Sequence, residues 1–255
     1  MAQTGRLAGH VAIVTAGGQG LGEAIARSFA REGASVAVAD LNRADAERVA
    51  REIEAAGGTA IALEVDATRT EAAEAMVKAV VDRWGTVDIL LNGAGGFHQF
   101  AAITDITDEE WDRVITVNLR STFVCSRAAA RVMIERRKGR IINIASGSGI
   151  APNPFAPTYL PYGAAKAGVI MFAKILGRDL GQYGITVNSI SPGTTATPRV
   201  VKVRDAASMK RIAEQNPMRV LVEPQDTAEA AVFLASPEAR YITGENLMVN
   251  AGNIM

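Results

Sequence analysis

The chain has 255 residues, enough for one large α/β domain that buries a sizeable core without disulfide support. Its 27 basic and 27 acidic residues cancel, which argues against nucleic acid or an anionic membrane as a partner. Cys125 is the single cysteine, so an intrachain disulfide is excluded, and the lack of an apolar leader or a span-length apolar run predicts a soluble, cytoplasmic protein.

Short apolar runs rich in β-branched residues alternate with helix-periodic segments along the chain. The stretches 22–33 and 44–58 are Ala-rich and amphipathic, and each ends in glycine, as helices often do. This alternation predicts an α/β fold: a single doubly wound Rossmann-type domain over residues 1–255, with a central parallel sheet of about seven strands and helices on both faces. The runs predicted as strands are residues 11–16, 35–40, 60–66, 87–92, 139–146, 185–192 and 245–250.

The first predicted strand runs into a glycine-rich turn, TAGGQGLG, at residues 15–22. Glycines between a strand and a helix let the backbone approach a pyrophosphate, while the helix N-terminus offers N–H groups and a positive dipole end. Asp40 ends the second predicted strand, where a carboxylate can accept hydrogen bonds from an adenosine ribose and repel a 2′-phosphate. The alternative role for Asp40 is the N-cap of the helix that starts near Arg43. Turn and carboxylate together favour ribose binding.

Tyr162 and Lys166 lie four residues apart in PYGAAKAG, residues 161–168. Positions i and i+4 share one face of a helix, and Pro161 suits the first helical position. An ammonium ~4 Å from a phenolate at an effective dielectric of ~20 interacts with it by about 4 kcal/mol, enough to lower the phenol's pKa by roughly three units. Such a tyrosine can exchange a proton near neutral pH. The alternative, for this pair alone, is a surface lysine one turn from a half-buried tyrosine.

These motifs resemble those of the short-chain dehydrogenase/reductase family, and the resemblance covers nearly the whole chain. The glycine turn is similar to the family's TGxxxGxG, and NGAG at residues 92–95 is similar to its NNAG. Three positions depart from the family pattern. Ala16 stands where the first glycine is usual, Gly93 replaces the second Asn, and NAG at 250–252 replaces a terminal DGG; the extra methyl at Ala16 is expected to shift the turn slightly without abolishing binding. The other residues that resemble signatures of the family are Asp66, Asn118 in VNL, Ser146 in INIAS, Tyr162 and Lys166 in YGAAK, SPG at 191–193, and Thr197.

The resemblance implies an NAD-dependent oxidoreductase that interconverts a secondary alcohol and a ketone. Tyr162 would exchange the proton at the substrate oxygen, and Lys166 would bind the nicotinamide ribose and lower the phenol's pKa. Ser146 would polarise the substrate oxygen, and Asn118 would support Lys166 through a water relay. The implied cofactor-binding residues are Gly17, Gln19, Gly20, Leu21, Asp40, Leu41, Asp66, Ala67, Asn92, Gly93, Ala94, Tyr162, Lys166, Pro192, Gly193, Thr195 and Thr197.

Three segments are candidate walls of a pocket for a small-molecule substrate. The segment between Ser146 and Tyr162 is longer than the family usually carries, GFHQF at 96–100 follows the fourth strand, and residues 194–221 are basic. Aromatic residues in the first two suggest an apolar or cyclic alcohol or ketone, although they can equally pack the loops. The basic side chains can meet a carboxylate or phosphate, although a charge run is more often a solvated helix face. The basic residues are Arg199, Lys202, Arg204, Lys210 and Arg211, and the proposed pocket residues are His98, Ser148, Phe155 and Tyr159.

Tyr159 competes with Tyr162 for the catalytic role because it lies closer in the chain to Ser146. Four residues after Tyr159 comes Gly163, whereas four residues after Tyr162 comes Lys166. A phenol without a nearby ammonium keeps a pKa near ~10 and is a poor base at neutral pH. The sequence therefore predicts the proton relay at Tyr162 and a wall of the substrate pocket at Tyr159.

Other functions remain open at this point. The same fold can dehydrate or epimerise, a regulator or scaffold can bind NAD without turnover, and a subunit can be purely structural. The complete catalytic set argues against the first two, and a structural subunit has no use for the glycine turn. No metal is expected, because His10 and His98 are isolated. By resemblance the protein is expected to be a homotetramer, with the helices around Asn118 and Tyr162 at one interface and the C-terminal strand near another.

Overall fold

Parallel strands form one central sheet in the protein, seen in a computed structural model that describes residues 5–97, 99–152, 159–198 and 200–254. The strands are β1 (Val11–Thr15), β2 (Ser35–Asp40), β3 (Thr59–Glu64), β4 (Ile89–Asn92), β5 (Gly139–Ile144), β6 (Ile185–Pro192) and β7 (Asn246–Val249). Their order across the sheet is β3-β2-β1-β4-β5-β6-β7, and every neighbouring pair is parallel. The predicted doubly wound Rossmann-type α/β fold with seven strands is confirmed. The assignment of the whole chain to one domain stays a prediction.

Helices connect the strands and cover the sheet. They are α1 (Gly20–Arg31), α2 (Arg43–Ala55), α3 (Thr70–Trp84), α4 (Asp108–Ile115), α5 (Ser121–Arg136), α6 (Leu160–Leu180), α7 (Val200–Val203), α8 (Ala206–Gln215) and α9 (Pro224–Ala235). A π-helical turn, Thr116–Arg120, joins α4 to α5. Among the helices described, none combines the length and the apolar character that a bilayer-spanning helix requires.

Alternate residues of each strand face opposite layers of helices. In β1, Ala12 and Val14 pack with α1, α2 and α9, whereas Val11 and Ile13 pack with α3, α5 and α6. Both faces of the sheet are therefore buried, which explains why its strands are apolar at consecutive positions rather than at every second one. The two cores hold the sheet rigid, so the loops at its carboxyl edge start from fixed points.

Around Ser146 and Tyr162, two element boundaries differ from the sequence prediction. Strand β5 ends at Ile144, because Ser146 instead caps a 3-10 turn, Gly147–Gly149, by accepting a hydrogen bond from the Ser148 N–H at 3.2 Å. Helix α6 begins at Leu160, so that Pro161 takes the second helical position rather than the first.

Candidate active site

The loops after β1 and β4 leave the sheet at the place where the strand order reverses. Strand β1 has β2 on one side and β4 on the other, so its loop and the loop of β4 diverge and leave a crevice between them. In open α/β sheets, ligands bind in such a crevice outside the carboxyl ends of the strands. The glycine turn and the NGAG segment both lie there.

The glycine turn folds tightly against the start of α1. A Cβ on Gly22 would collide with the carbonyl oxygen of Ala16, so the helix can approach the strand only without a side chain there. Ala16 itself has φ of 52°, a left-handed conformation that costs a non-glycine residue roughly 1–2 kcal/mol. Gln19, the N-cap of α1, makes no side-chain capping hydrogen bond. The first N–H groups of α1 are thus positioned to meet an anion such as a diphosphate.

Asp40 lies against the glycine turn at the end of β2. Its Oδ2 accepts a hydrogen bond from the Gly18 N–H at 2.9 Å, and its Oδ1 accepts one from the Asn42 N–H at 2.9 Å. The alternative role of Asp40 as a helix cap is wrong, because Asn42 caps α2 by accepting hydrogen bonds from the N–H groups of Ala44 and Asp45. A carboxylate has room for about four hydrogen bonds, so Asp40 can still accept from ribose hydroxyls.

A basic residue that the sequence analysis missed, Arg48, also contacts the glycine turn. Its guanidinium donates to the Gly18 carbonyl oxygen at 2.8 Å and to Glu23 Oε2 at 2.8 Å. The hydrogen bond from Arg48 is the largest cause that holds the pKa of Glu23 below its ordinary value. Glu52 contacts the same guanidinium at 3.2 Å. Both carboxylates also pair with Arg27, so these four charges balance, and the contacts of Arg48 tie α2 to the turn.

Three further predicted cofactor residues follow β2 and β3. Leu41 is 70% exposed beside Asp40, as an apolar side chain at a ligand surface can be. Asp66 Oδ1 accepts hydrogen bonds from the Thr68 N–H at 3.0 Å and from its hydroxyl at 2.6 Å, which orients the carboxylate at the start of α3. The Ala67 carbonyl oxygen accepts from Cys125 Sγ at 3.6 Å. Burial raises the pKa of the Cys125 thiol to about 12, so this cysteine is unreactive.

The structure gives a physical reason for two residues of the NGAG segment, Asn92 and Gly93. Asn92 Nδ2 donates to Ser126 Oγ at 2.9 Å and to Asn143 Oδ1 at 2.8 Å, so this side chain holds β4, β5 and α5 together in the interior. A Cβ on Gly93 would lie 2.5 Å from the Thr15 carbonyl oxygen. The close approach to β1 therefore explains the glycine at this position. Whether these residues contact a cofactor stays a prediction.

Tyr162 and Lys166 lie one turn apart in the first half of α6, as the spacing predicted. Lys166 Nζ lies 5.6 Å from the centroid of the Tyr162 ring. The lysine is only 3% exposed, and its ammonium donates a hydrogen bond to the Ile144 carbonyl oxygen at 2.6 Å. A buried ammonium beside a phenol favours the phenolate form of that phenol. The alternative of a surface lysine is wrong.

Ser146 and Tyr162 line one cavity of about 180 Å³ at the carboxyl edge of the sheet. Leu21 from α1 and the predicted cofactor residues Pro192, Gly193, Thr195 and Thr197, all of which follow or end β6, line it as well. Ser148, a predicted pocket residue, lies in the same wall. The structure thus brings residues of the glycine turn, β5, α6 and β6 to one space. The other described residues that line it are Gly96, Phe97, Ile144, Ala145, Gly147, Thr194, Val200, Arg204, Asn250, Asn253 and Ile254.

Asn118 is fully buried in the π-helical turn and anchors the loop after β4. Its side chain accepts from the Gly96 N–H at 2.7 Å and donates to the carbonyl oxygens of Gly96 at 2.9 Å and Val114 at 2.8 Å. A Cβ on Gly95 would lie 2.6 Å from Asn118 Oδ1 and 3.0 Å from Lys166 Nζ. Asn118 and Lys166 therefore meet across Gly95, although the water relay between them stays a prediction.

Tyr159 lies behind the cavity rather than among the described residues that line it. Its side chain is 1% exposed, and its hydroxyl donates to Glu110 Oε1 at 3.1 Å. Burial, and then the neighbouring Glu110 carboxylate, raise the pKa of Tyr159 above its ordinary value. The ring centroid of Phe97 lies 5.4 Å from that of Tyr159 and 4.9 Å from that of Tyr162, so Phe97 packs against both tyrosines. A role of Tyr159 as a substrate contact stays a prediction.

The sequence analysis missed part of the cavity wall. Asn250, Asn253 and Ile254 reach the cavity from the C-terminal segment, and only the NAG motif marked this stretch. For Arg204 the sequence left open an anion contact or a solvated face; the side chain is half-buried and lines the cavity. Three residues named from the sequence, His98, Phe155 and Arg199, lie outside the described residues.

The fold and the site define a Rossmann-type α/β protein with a Ser-Tyr-Lys set beside a dinucleotide-type glycine turn. A family model described as Enoyl-(Acyl carrier protein) reductase matches residues 15–253. The chain belongs to the short-chain dehydrogenase/reductase family, and the curated relatives that it matches include reductases and dehydrogenases.

The relatives act on different substrates. The 3-oxoacyl-[acyl-carrier-protein] reductase FabG of Vibrio cholerae serotype O1 is 38% identical over 249 residues, which is 98% of this chain and 99% of that protein. The 2,5-dichloro-2,5-cyclohexadiene-1,4-diol dehydrogenase LinX of Sphingobium indicum is 37% identical over 247 residues, which is 97% of each chain. The crystal structure of a short-chain type dehydrogenase/reductase from Mycobacterium marinum superposes with a TM-score of 0.91 at 30% identity, covering 97% of this chain and 96% of that chain.

We predict that Asn118→Ala lowers the free energy of unfolding by about 2–4 kcal/mol, because it removes two hydrogen bonds to the part-buried Gly96 backbone and one to the buried Val114 carbonyl oxygen. Denaturant unfolding measures the change. Ser121→Ala is the control: its hydroxyl donates only to the Val117 carbonyl oxygen on the same helical turn, and we expect a loss below about 1 kcal/mol. A loss below about 1 kcal/mol for Asn118→Ala as well would contradict the anchoring role.

Proposed function

We propose that the protein interconverts a secondary alcohol and a ketone with NAD as the hydride carrier. The observation that carries the proposal is the shared cavity, into which α6 brings Tyr162 and the end of β5 brings Ser146. Lys166 lies one turn after Tyr162, with its ammonium near the phenol ring. A phenol, an alcohol and an ammonium around one space are the groups needed to move a proton at a substrate oxygen.

In this proposal Tyr162 exchanges the proton of the substrate oxygen. The Lys166 ammonium stabilises the phenolate through their mutual attraction, and its hydrogen bond to the Ile144 carbonyl oxygen holds it in place. Ser146 accepts a hydrogen bond from the Ser148 N–H, which leaves its hydroxyl proton to be donated to the substrate oxygen. Charge that develops on this oxygen is thus met by a donor already in place.

The residues at the crevice fit a nicotinamide dinucleotide. The N-terminus of α1, which has no capping side chain, suits the diphosphate, and Asp40 at the end of β2 suits the hydroxyls of the adenosine ribose. Lys166 and Tyr162 would contact the nicotinamide ribose, and Pro192, Gly193, Thr195 and Thr197 would hold the nicotinamide end. When bound, NAD accepts a hydride from the alcohol carbon or, in reduced form, gives one to the ketone carbon.

The charges around the glycine turn support NAD rather than NADP. Asp40 contacts Gly18, and a Cβ on Gly18 would lie 2.7 Å from the Cβ of Asp45, so two carboxylates flank this backbone. Arg48 belongs to a charge-balanced cluster with Arg27, Glu23 and Glu52, and Arg43, whose side chain is 72% exposed, pairs with Glu47 at 2.7 Å. A 2′-phosphate would add about two negative charges beside these carboxylates.

We predict that the ratio of kcat/KM with NAD to kcat/KM with NADP is on the order of a hundredfold, and that Asp40→Asn lowers it at least about tenfold, because the repelling charge is removed. Steady-state kinetics with both cofactors measure the ratio. Glu64→Gln is the matched control, since Glu64 pairs with Asp40 in the sheet register but is exposed on β3. A preference for NADP, or an unchanged ratio in Asp40→Asn, would refute NAD selectivity.

Replacing each of the two tyrosines by phenylalanine tests which of them is the catalytic residue. In a panel of secondary alcohols with NAD, Tyr162→Phe should reduce kcat by about 10²–10⁴-fold, because the proton relay is lost, while calorimetry still detects NAD binding. Tyr159→Phe should keep turnover, because the Tyr159 hydroxyl is bonded to Glu110 and is not the proton relay. We expect this change to alter mainly KM. Loss of activity in Tyr159→Phe with activity retained in Tyr162→Phe would reverse the assignment.

The same panel separates the proposal from its alternatives. A regulator or scaffold would bind NAD and reduce none of it with any alcohol in the panel. A dehydratase or epimerase would convert substrate with no net change in the cofactor. Of these functions, only an alcohol dehydrogenase or ketoreductase is expected to form reduced NAD in a reaction that depends on Tyr162.

We further propose that the protein is a cytoplasmic homotetramer and that it has no nucleic-acid or membrane partner. Phe123 on α5 is 42% exposed, and Met171 and Ile175 on α6 are 54% and 57% exposed, so both long helices present apolar surface. Such surface supports burial against a second copy of the chain. Light scattering of the purified protein measures the assembly.

A further inference from the structure

Arg204 gives the cavity a feature that the alcohol and ketone chemistry does not require. It follows α7 and lines the same cavity as Ser146 and Tyr162. Among the described residues that line this space, Arg204 is the sole charged side chain; the others are apolar, hydroxyl, amide or glycine residues. A cation in such surroundings attracts an anionic ligand group.

The guanidinium is partly withdrawn from water. Burial lowers the pKa of Arg204 from its ordinary value, although arginine remains charged at neutral pH. Its Cζ lies 5.2 Å from the centroid of the Phe100 ring, so the aromatic face orients the fork of donors. A guanidinium carries five N–H donors, so Arg204 can donate to a carboxylate that enters the cavity.

A row of aromatic rings links Arg204 to the proposed catalytic tyrosine. Phe100 lies 5.0 Å from Phe97, and Phe97 lies 4.9 Å from Tyr162, both measured between ring centroids. Phe97 lines the cavity beside Tyr162, and Phe100 packs between Phe97 and the guanidinium. Because Tyr162 and Arg204 both line this cavity, a substrate in it would present its oxygen to Tyr162 and an anionic group to Arg204.

We infer that the substrate is a hydroxy acid or keto acid, whose carboxylate binds Arg204 while its alcohol or ketone oxygen binds Ser146 and Tyr162. The inference rests on the proposed function and names its substrate class. A planar guanidinium matches a carboxylate through two parallel hydrogen bonds. One positive charge in the cavity balances one carboxylate, whereas a phosphate monoester carries about two negative charges at neutral pH.

The other basic residues of this segment do not share these properties. Lys202, Lys210 and Arg211 are exposed, and Lys210 pairs with Glu214 at 3.8 Å. They belong to the solvated face that the charge run predicted. Lys202 is therefore a suitable control, since it lies two residues from Arg204, carries the same charge and does not line the cavity.

The test compares short α-, β- and γ-hydroxy acids with their methyl esters as substrates with NAD. For at least one acid and ester pair, we expect the wild type to favour the acid by about tenfold or more in kcat/KM, and Arg204→Met to lower this preference at least about tenfold. Arg204→Lys should retain part of the preference, because it keeps the charge but loses the fork. Lys202→Met should leave it unchanged. Equal use of acids and esters by the wild type, or an unchanged preference in Arg204→Met, would overturn the inference.

A binding measurement without turnover distinguishes this inference from the proposed function. Calorimetry on the NAD complex should show butanoate binding that weakens at least about tenfold in Arg204→Met. If no alcohol is oxidised but this binding holds, the proposed function fails and the anion subsite stands. If neutral alcohols are oxidised and butanoate does not bind, only the anion subsite fails. Tighter binding of butyl phosphate than of butanoate, or a loss of NAD binding in Arg204→Met, would reassign the residue and overturn the inference.

Discussion

The hydrogen bond from the buried Lys166 ammonium to the Ile144 carbonyl oxygen sets the geometry of the whole site. A buried cation needs polar partners, and one of them here is the last residue of β5. Helix α6 is thereby fixed against the end of that strand. Ser146 follows two residues after Ile144, and Tyr162 precedes Lys166 by one turn, so one bond positions both hydroxyl groups beside the cavity.

The chain builds the rest of the site by close backbone approach. Gly22 lets α1 contact the end of β1, Gly93 lets the loop after β4 contact Thr15, and Gly95 leaves room for both Asn118 and Lys166. Each of these glycines brings polar groups toward the crevice where the strand order reverses. The helix N-terminus, the carboxylate and the ammonium therefore occupy one edge of a rigid sheet, which is the arrangement that a preorganised site requires.

The fold and the main motifs were accessible from the sequence because they depend on local patterns. Alternating strands and helices predict the sheet, and the spacing of Tyr162 and Lys166 predicts a shared helical face. The sequence analysis missed Asn42 as the N-cap of α2, because Asp40 is also a suitable cap and only the backbone shows which residue faces the helix. The role of Arg204 stayed open for a related reason: a charge run shows that a face is polar, but it does not show that residues 250–254 complete a cavity beside it.

Transfer of deuterium from substrate to cofactor tests the central claim most directly. A pool of secondary alcohols, hydroxy acids among them, is deuterated at the carbinol carbon and incubated with the enzyme and NAD, and mass spectrometry of the cofactor follows the label. The account predicts deuterium in the reduced NAD formed by the wild type and almost none with Tyr162→Phe. Ketone formation without deuterium in the reduced cofactor, or labelled cofactor formed equally well by Tyr162→Phe, would contradict it.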